Sequence, residues 1–142
     1  MENRKYEYSF SPRFRDTDAY GVIHHSNYFC YFEEARYMYS RDVLGFQDNI
    51  LDSSKFKFPV LKAECQYKKA IQYGNETYCV QTEFHILNNV KISFKYTLVN
   101  SDGEIHAIGM TEHAFIKDDG NMCFDIEGWF QKHMGLKLGR VM

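Results

Sequence analysis

Proline is almost absent from the chain, at two residues in 142, and glycine is sparse at nine. Low-complexity and disordered segments are richer in both, so neither describes this sequence. The four cysteines, Cys30, Cys65, Cys79 and Cys123, stand far apart with no Cys-x-x-Cys pair. That excludes a disulfide framework and the common zinc spacings, and predicts reduced thiols in a cytoplasmic protein. No apolar run approaches the length of a membrane span, and the opening MENRKYEY carries no apolar signal core. Asn75-Glu76-Thr77 fits the glycosylation sequon, which without secretion is a chance match. Excess positive charge is missing too: the net charge of −2 gives no global attraction to nucleic acid or to an anionic membrane.

What is abundant is aromatic surface. Twelve phenylalanines and eleven tyrosines bring the aromatic fraction to 17%, which suits a β-rich fold, since such side chains pack well on a pleated sheet. The length fits one domain spanning residues 1–142, large enough to bury a real core.

The pattern along the chain predicts an α+β arrangement. Tyr6-Glu7-Tyr8-Ser9-Phe10 alternates as a strand does. A long helix is expected from Asn27 to Gly45, with Tyr28, Tyr31, Phe32, Ala35, Tyr39 and Val43 on its apolar face. Ser26 or Asn27 would cap its start, and Gly45 would end it. No other convincing helix is expected. Residues 47–57 read as a loop or short helix. Strands are then predicted over Phe58–Lys68, Glu76–Leu87, Ile92–Leu98 and Glu104–Ile116, with turns at Asn100-Ser101-Asp102-Gly103 and Asp118-Asp119-Gly120-Asn121. A short strand and a tail follow the second turn. A sheet with one helix on one face leaves edges open, so a second subunit is expected.

Between the first strand and the helix lies RDTDAYGVIHHSNY, residues 15–28. Aspartate, threonine, glycine and asparagine there are what any turn uses. His24-His25 is a poor metal chelate, because zinc ligands are normally two or more residues apart, and the other histidines fall at no diagnostic interval. Neither a metal nor a cofactor is expected.

Asp18, Gly21, His25, Asn27 and Tyr28, followed by an aromatic helix running through Ala35-Arg36, resemble the signature of the 4-hydroxybenzoyl-CoA thioesterase family. The nearest resemblance is to its acyl-CoA thioesterase branch associated with the Tol-Pal system. The resemblance implies the hotdog fold, a curled antiparallel sheet of five to six strands wrapped around one long helix, active as a dimer or tetramer. It implies hydrolysis of an acyl-CoA thioester, with Asp18 as nucleophile or general base and His25 beside it. Unpaired N–H groups at the helix start near His25 would receive the oxyanion. Gly21 would let the loop approach the substrate, and Asp16 would hold the loop rather than act chemically. Tyr28, Tyr31 and Phe32 are candidates to line an acyl pocket, although a helix needs such residues for its core face in any case.

Two departures from the family pattern stand out. Tyr20 replaces a small residue at the mouth of the site. Tyr67-Lys68-Lys69-Ala70-Ile71-Gln72-Tyr73-Gly74-Asn75 keeps the aromatic and the glycine of a family motif but loses its proline and its basic residue. Lys68, Lys69, Lys91 or Lys95 would then have to meet the CoA phosphates. Asn27 and Tyr28 complete the expected substrate-binding set. The alternatives are a thioesterase acting on acyl-carrier protein and a non-catalytic acyl-thioester-binding protein; a hotdog dehydratase fits less well.

Overall fold

The computed structural model describes residues 6–44 and 57–134, with His133 and Met134 placed by their backbone alone. Along the chain come β1 (Tyr6–Phe10), α1 (Asn27–Asp42), β2 (Val60–Tyr67), β3 (Tyr78–Ile86), β4 (Ile92–Val99), β5 (Ile105–His113) and α2 (Ile126–Met134). A single 3₁₀ turn, Phe14–Asp16, follows β1. The strands form one sheet in the order β1-β3-β4-β5-β2, and every neighbouring pair is antiparallel.

The alternation visible in the sequence becomes the inner face of that sheet. Tyr78, Val80, Thr82, Phe84 and Ile86 of β3 are buried, as are Ile92, Phe94, Tyr96 and Leu98 of β4. Onto this face α1 lays Tyr28, Tyr31, Phe32, Ala35 and Tyr39, all buried. The Phe32 ring stacks on Tyr96 with centroids 4.6 Å apart and planes 6° from parallel. Tyr39 meets Phe94 edge-on at 5.8 Å. Phe32 also lies directly over Gly109 of β5, where a Cβ would fall within its ring.

A second feature of the interior is polar. His113, fully buried, has Nδ1 2.9 Å from the Phe58 carbonyl. A carbonyl only accepts, so Nδ1 carries the proton. Nε2 then accepts from the Thr111 hydroxyl at 2.8 Å. Thr111 Oγ1 accepts from the Tyr96 hydroxyl at 2.7 Å, which accepts from Arg36 Nη1 at 3.1 Å. Every donor in this chain from helix to sheet points the same way, and its polar atoms are satisfied where an unpaired one is costly.

Four expectations are corrected. The segment after Asn121 forms no strand, only an isolated bridge between Ile116 and Met122, and β5 itself stops at His113. In place of a tail, Ile126–Met134 is a second helix. Its start is closed by Asp125, whose Oδ1 accepts the Gly128 N–H at 3.2 Å. Ile126, Trp129 and Phe130 bury against the core, with Trp129 edge-on to Phe115 at 4.7 Å. Lastly, Ser26 occupies the position before α1 in a helical conformation, with no side-chain cap. Gly45, the expected helix end, and residues 47–56 of the expected loop lie outside the described residues.

Burial, with the Arg36 charge adding to it, holds the His113 imidazole down to about 4 against the pull of its bond to Phe58. The unfolded chain protonates His113 near ~6.5, so between these values the unfolded state binds more protons and stability falls as the pH falls. Chemical denaturation of the wild type between pH 7 and 4 should show a loss of up to ~3 kcal/mol from this group, and His113→Gln should flatten the slope. Gly109→Ala should lower stability by ~1–3 kcal/mol, the usual cost of overpacking, because Phe32 is held against Tyr96 and cannot step aside; a melting curve checks it.

Candidate active site

Asp16 ties together the segment between β1 and α1. It is 6% exposed. Its Oδ2 accepts the Tyr31 hydroxyl at 2.8 Å and the Arg13 N–H at 3.3 Å, with Arg13 Nε 3.7 Å away. Its carbonyl accepts the His24 N–H at 2.8 Å and Asn27 Nδ2 at 2.9 Å. One residue thereby fixes both ends of the loop and the first turn of the helix, the holding role expected of it. Burial, and then the neighbouring carboxylate, push the Tyr31 hydroxyl far above the ordinary tyrosine range, so it stays a donor.

Held in this way, residues 17–23 fold into a tight loop closed by a bridge between Thr17 and Ile23. The Asp18 N–H donates to the Val22 carbonyl at 2.8 Å, and the Gly21 N–H to the Asp18 carbonyl at 3.3 Å. Gly21 sits at φ +84°, a conformation that glycine adopts without steric cost. The Asp18 carboxylate is partly buried, and its Oδ1 accepts the Tyr20 N–H at 2.7 Å and the Val22 N–H at 3.4 Å. It is thus an oriented carboxylate on a short, pinned loop. The loop is anchored from outside as well: the Ile23 N–H donates to the Ile71 carbonyl at 2.8 Å, and Val22 bridges Gln72. Tyr20 stands clear of the surface, 90% exposed.

At the helix start the Ser26 hydroxyl lies 2.8 Å from His24 Nδ1, and the Ser26 N–H also reaches that nitrogen, at 3.2 Å. This local contact is why neither expected cap forms. Asn27 is instead the first helical residue, and its amide is committed to Asp16. The N–H groups of Asn27 and Tyr28 go to the carbonyls of His24 and His25. The His25 N–H has no hydrogen-bond partner among the described residues. Its ring is exposed and stacks on His24 at 4.3 Å.

The remaining expected residues divide. Tyr28 is 3% exposed and covered edge-on by Tyr67 at 4.9 Å. Tyr31 and Phe32 are buried as well, so all three candidates for an acyl pocket are built into the core. Tyr67 was not expected at the site. Its hydroxyl donates to the His25 carbonyl at 3.1 Å, and burial together with Cys65 pushes it up to about 12. Its retention in the 67–75 motif was the only sequence signal for it. Lys68 is exposed, with no ion pair among the described residues. Lys69 is paired to Glu104 at 2.8 Å. Beside the 69–78 segment opens a cleft of about 500 Å³ walled by Lys69, Tyr73, Asn75, Glu76, Asn100 and His106. Tyr73 also meets Phe14, at the start of the loop, edge-on at 5.7 Å. Among the described residues no group of three or more histidine, cysteine, aspartate or glutamate side chains is placed to hold a metal.

With a pinned acidic loop leading into a long helix on a five-stranded antiparallel sheet, the sequence of residues 12–134 matches the thioesterase-like superfamily. The chain belongs to that superfamily. The fold is the hotdog of that superfamily, and relatives named as acyl-CoA thioesterases support thioester hydrolysis. Among its relatives, the acyl-CoA thioesterase YbgC of Haemophilus influenzae is 30% identical over 96 residues, 66% of this chain and 70% of that protein. The crystal structure of an Aquifex aeolicus protein is 32% identical with a TM-score of 0.70, covering 78% of this chain and 87% of its own. A DHNA-CoA thioesterase from Staphylococcus aureus is 27% identical with a TM-score of 0.74, covering 97% and 99%.

For this thioesterase-like chain, Tyr31→Phe should leave the buried Asp16 carboxylate one donor short. The expected cost is ~1–3 kcal/mol, together with faster backbone hydrogen exchange at His24 and Asn27, measured by NMR or mass spectrometry.

Proposed function

We propose that this chain hydrolyses an acyl-CoA thioester to the free acid and CoA, with Asp18 as the reacting carboxylate. The observation that carries this is the fixing of Asp18 Oδ1 by two backbone N–H groups, at 2.7 and 3.4 Å, on a loop pinned by Asp16 and by Ile71. Catalysis gains from such prior positioning, because the reacting group need not be ordered during the reaction. As nucleophile, the carboxylate oxygen attacks the thioester carbon; the C–S bond breaks, CoA leaves as thiolate, and water cleaves the mixed anhydride. As general base, Asp18 takes a proton from water, whose oxygen makes the new bond instead.

In either route the carbonyl oxygen becomes negative and needs donors. The His25 N–H at the start of α1, without a partner among the described residues, is the donor that this reading assigns, aided by the helix dipole. The exposed His25 ring stands beside it as a carrier of protons. Gly21 gives room at the loop, Asn27 holds the helix start against Asp16, and Tyr20 borders the approach, while Tyr28, buried beneath Tyr67, supports the helix from the core. Lys68 is the better placed of the two lysines for a CoA phosphate, since Lys69 is already neutralised by Glu104.

The same reading puts the chain in the Tol-Pal-associated acyl-CoA thioesterase branch of the 4-hydroxybenzoyl-CoA thioesterase family, on the spacing of Asp18, Gly21, His25, Asn27 and Tyr28. It takes residues 1–142 as one cytoplasmic domain working as a homodimer or homotetramer. The exposure of Val60 and Leu61 along β2, 51% and 53% at the sheet's edge, supports a second copy there. The four cysteines are free, which agrees with a reducing compartment.

A thiol-reagent assay across short, long and aromatic acyl-CoAs tests the proposal. Wild-type protein should release CoA. Asp18→Asn, which keeps an oxygen for both N–H groups, should lower kcat by ~10²–10⁴-fold with an unchanged melting temperature. Absence of turnover on every CoA and carrier-protein thioester would overturn it.

A further inference from the structure

His106, near the start of β5, directs nearly all of its polar contacts at one short stretch of chain. Its carbonyl accepts the N–H groups of Lys68 and Lys69 at 2.8 and 3.0 Å. Its Nδ1 lies 3.2 Å from the Lys69 carbonyl and 3.1 Å from the Ala70 carbonyl. Because both oxygens can only accept, Nδ1 bears the proton and donates to the pair. Nε2 is left to accept, and it faces Asn100 Nδ2 at 3.4 Å. The Asn100 amide cannot be reversed, since its Oδ1 accepts the N–H groups of Asp102 and Glu104 at 3.0 and 2.9 Å.

The ring is 3% exposed and meets Tyr78 edge-on at 5.2 Å. An apolar side chain of similar size would satisfy that packing without the cost of burying an imidazole. The polarity of residue 106 therefore serves the carbonyls of 69 and 70. The next carbonyl along, that of Ile71, is the one that receives the Ile23 N–H at 2.8 Å, and Gln72 bridges Val22. Val22 in turn exchanges hydrogen bonds with Asp18, through its carbonyl and through its N–H to Oδ1. Three consecutive carbonyls thus join β5 to the acidic loop.

We propose that His106 is a positioning residue: as the neutral Nδ1–H tautomer it locks residues 69–72 against β5 and so sets where Val22 presents its N–H to the Asp18 carboxylate. The proposal rests on Asp18 being the reacting carboxylate, and it adds a residue that touches neither substrate nor Asp18.

Two variants separate positioning from bulk stability. His106→Leu keeps the volume and removes the donor; His106→Asn restores an N–H near the place of Nδ1. With acyl-CoA substrates, His106→Leu should lose ~10–100-fold in kcat, the scale of a small misplacement, with KM changed less than about threefold. His106→Asn should recover most of the loss. Hydrogen exchange at Val22 and Ile23 should quicken in His106→Leu and slow again in His106→Asn, with β3 and β4 protected throughout. Wild-type kcat and exchange in His106→Leu would overturn the proposal. So would a kcat loss without faster exchange at Val22 and Ile23, or equal damage in both variants with exchange raised across the sheet. If the wild type releases no CoA from any thioester, the proposed function fails, while the exchange measurements on the same three proteins still decide whether His106 clamps the loop.

Discussion

Phe32 over Gly109 is the contact that sets the height of the long helix above the sheet. The residue beneath the ring has no side chain, so α1 settles close enough for Phe32 to lie flat on Tyr96. That depth brings Tyr39 down onto the β4 aromatics and Tyr31 within reach of Asp16. Fully burying one such ring is worth ~1.5–3 kcal/mol, and a stripe of them makes the helix position a single deep minimum rather than a range. The start of α1, and with it the His25 N–H, is placed by packing that occurs a full turn or more away.

The same depth decides what the helix cannot do. Tyr28, Tyr31 and Phe32 are committed to the core of their own chain, so they are not free to form an acyl pocket within it. Exposed aromatic surface lies instead around the loop, at the end of β2 and on the segment after it, at Phe14, Tyr20, Tyr67 and Tyr73. The edge strand β2 is exposed along most of its length and ends at Tyr67, so a site completed by a second copy is an extension of the proposed function that this edge would allow.

Legibility in the sequence followed the range of the interactions. Strand alternation in β3 and β4, the turn glycines and the stripe of α1 are local, and the structure agrees with them. The second helix was missed although Asp125, Ile126, Trp129 and Phe130 carry a cap and the right spacing; Gly128 in its first turn and the neighbouring aromatics read as easily as a strand and tail. The expected cap at Ser26 failed because His24, two residues away, offers its hydroxyl a nearer partner. Tyr67 and His106 act through carbonyls far along the chain, at His25 and at Lys69–Ala70. No motif or period marks such pairings before the fold brings them together.

The two aspartates of the loop, two positions apart, show how environment rather than residue type divides the work. Asp16 is nearly sealed, its carboxylate bound by Tyr31 and Arg13, so any approach to it would first have to break the anchor of the helix. Asp18 lies at the turn, with one oxygen fixed by the backbone N–H groups of Tyr20 and Val22, which no substitution short of proline removes. A carboxylate held only by side chains could be positioned as well, but each partner would be a separate point of failure. Backbone donors on a pinned loop carry no such dependence, provided that the loop itself stays in register with residues 71 and 72. On the proposed function, the constraint on catalysis therefore moves away from Asp18 and onto the segment after β2, which the proposed clamp at His106 holds to the sheet.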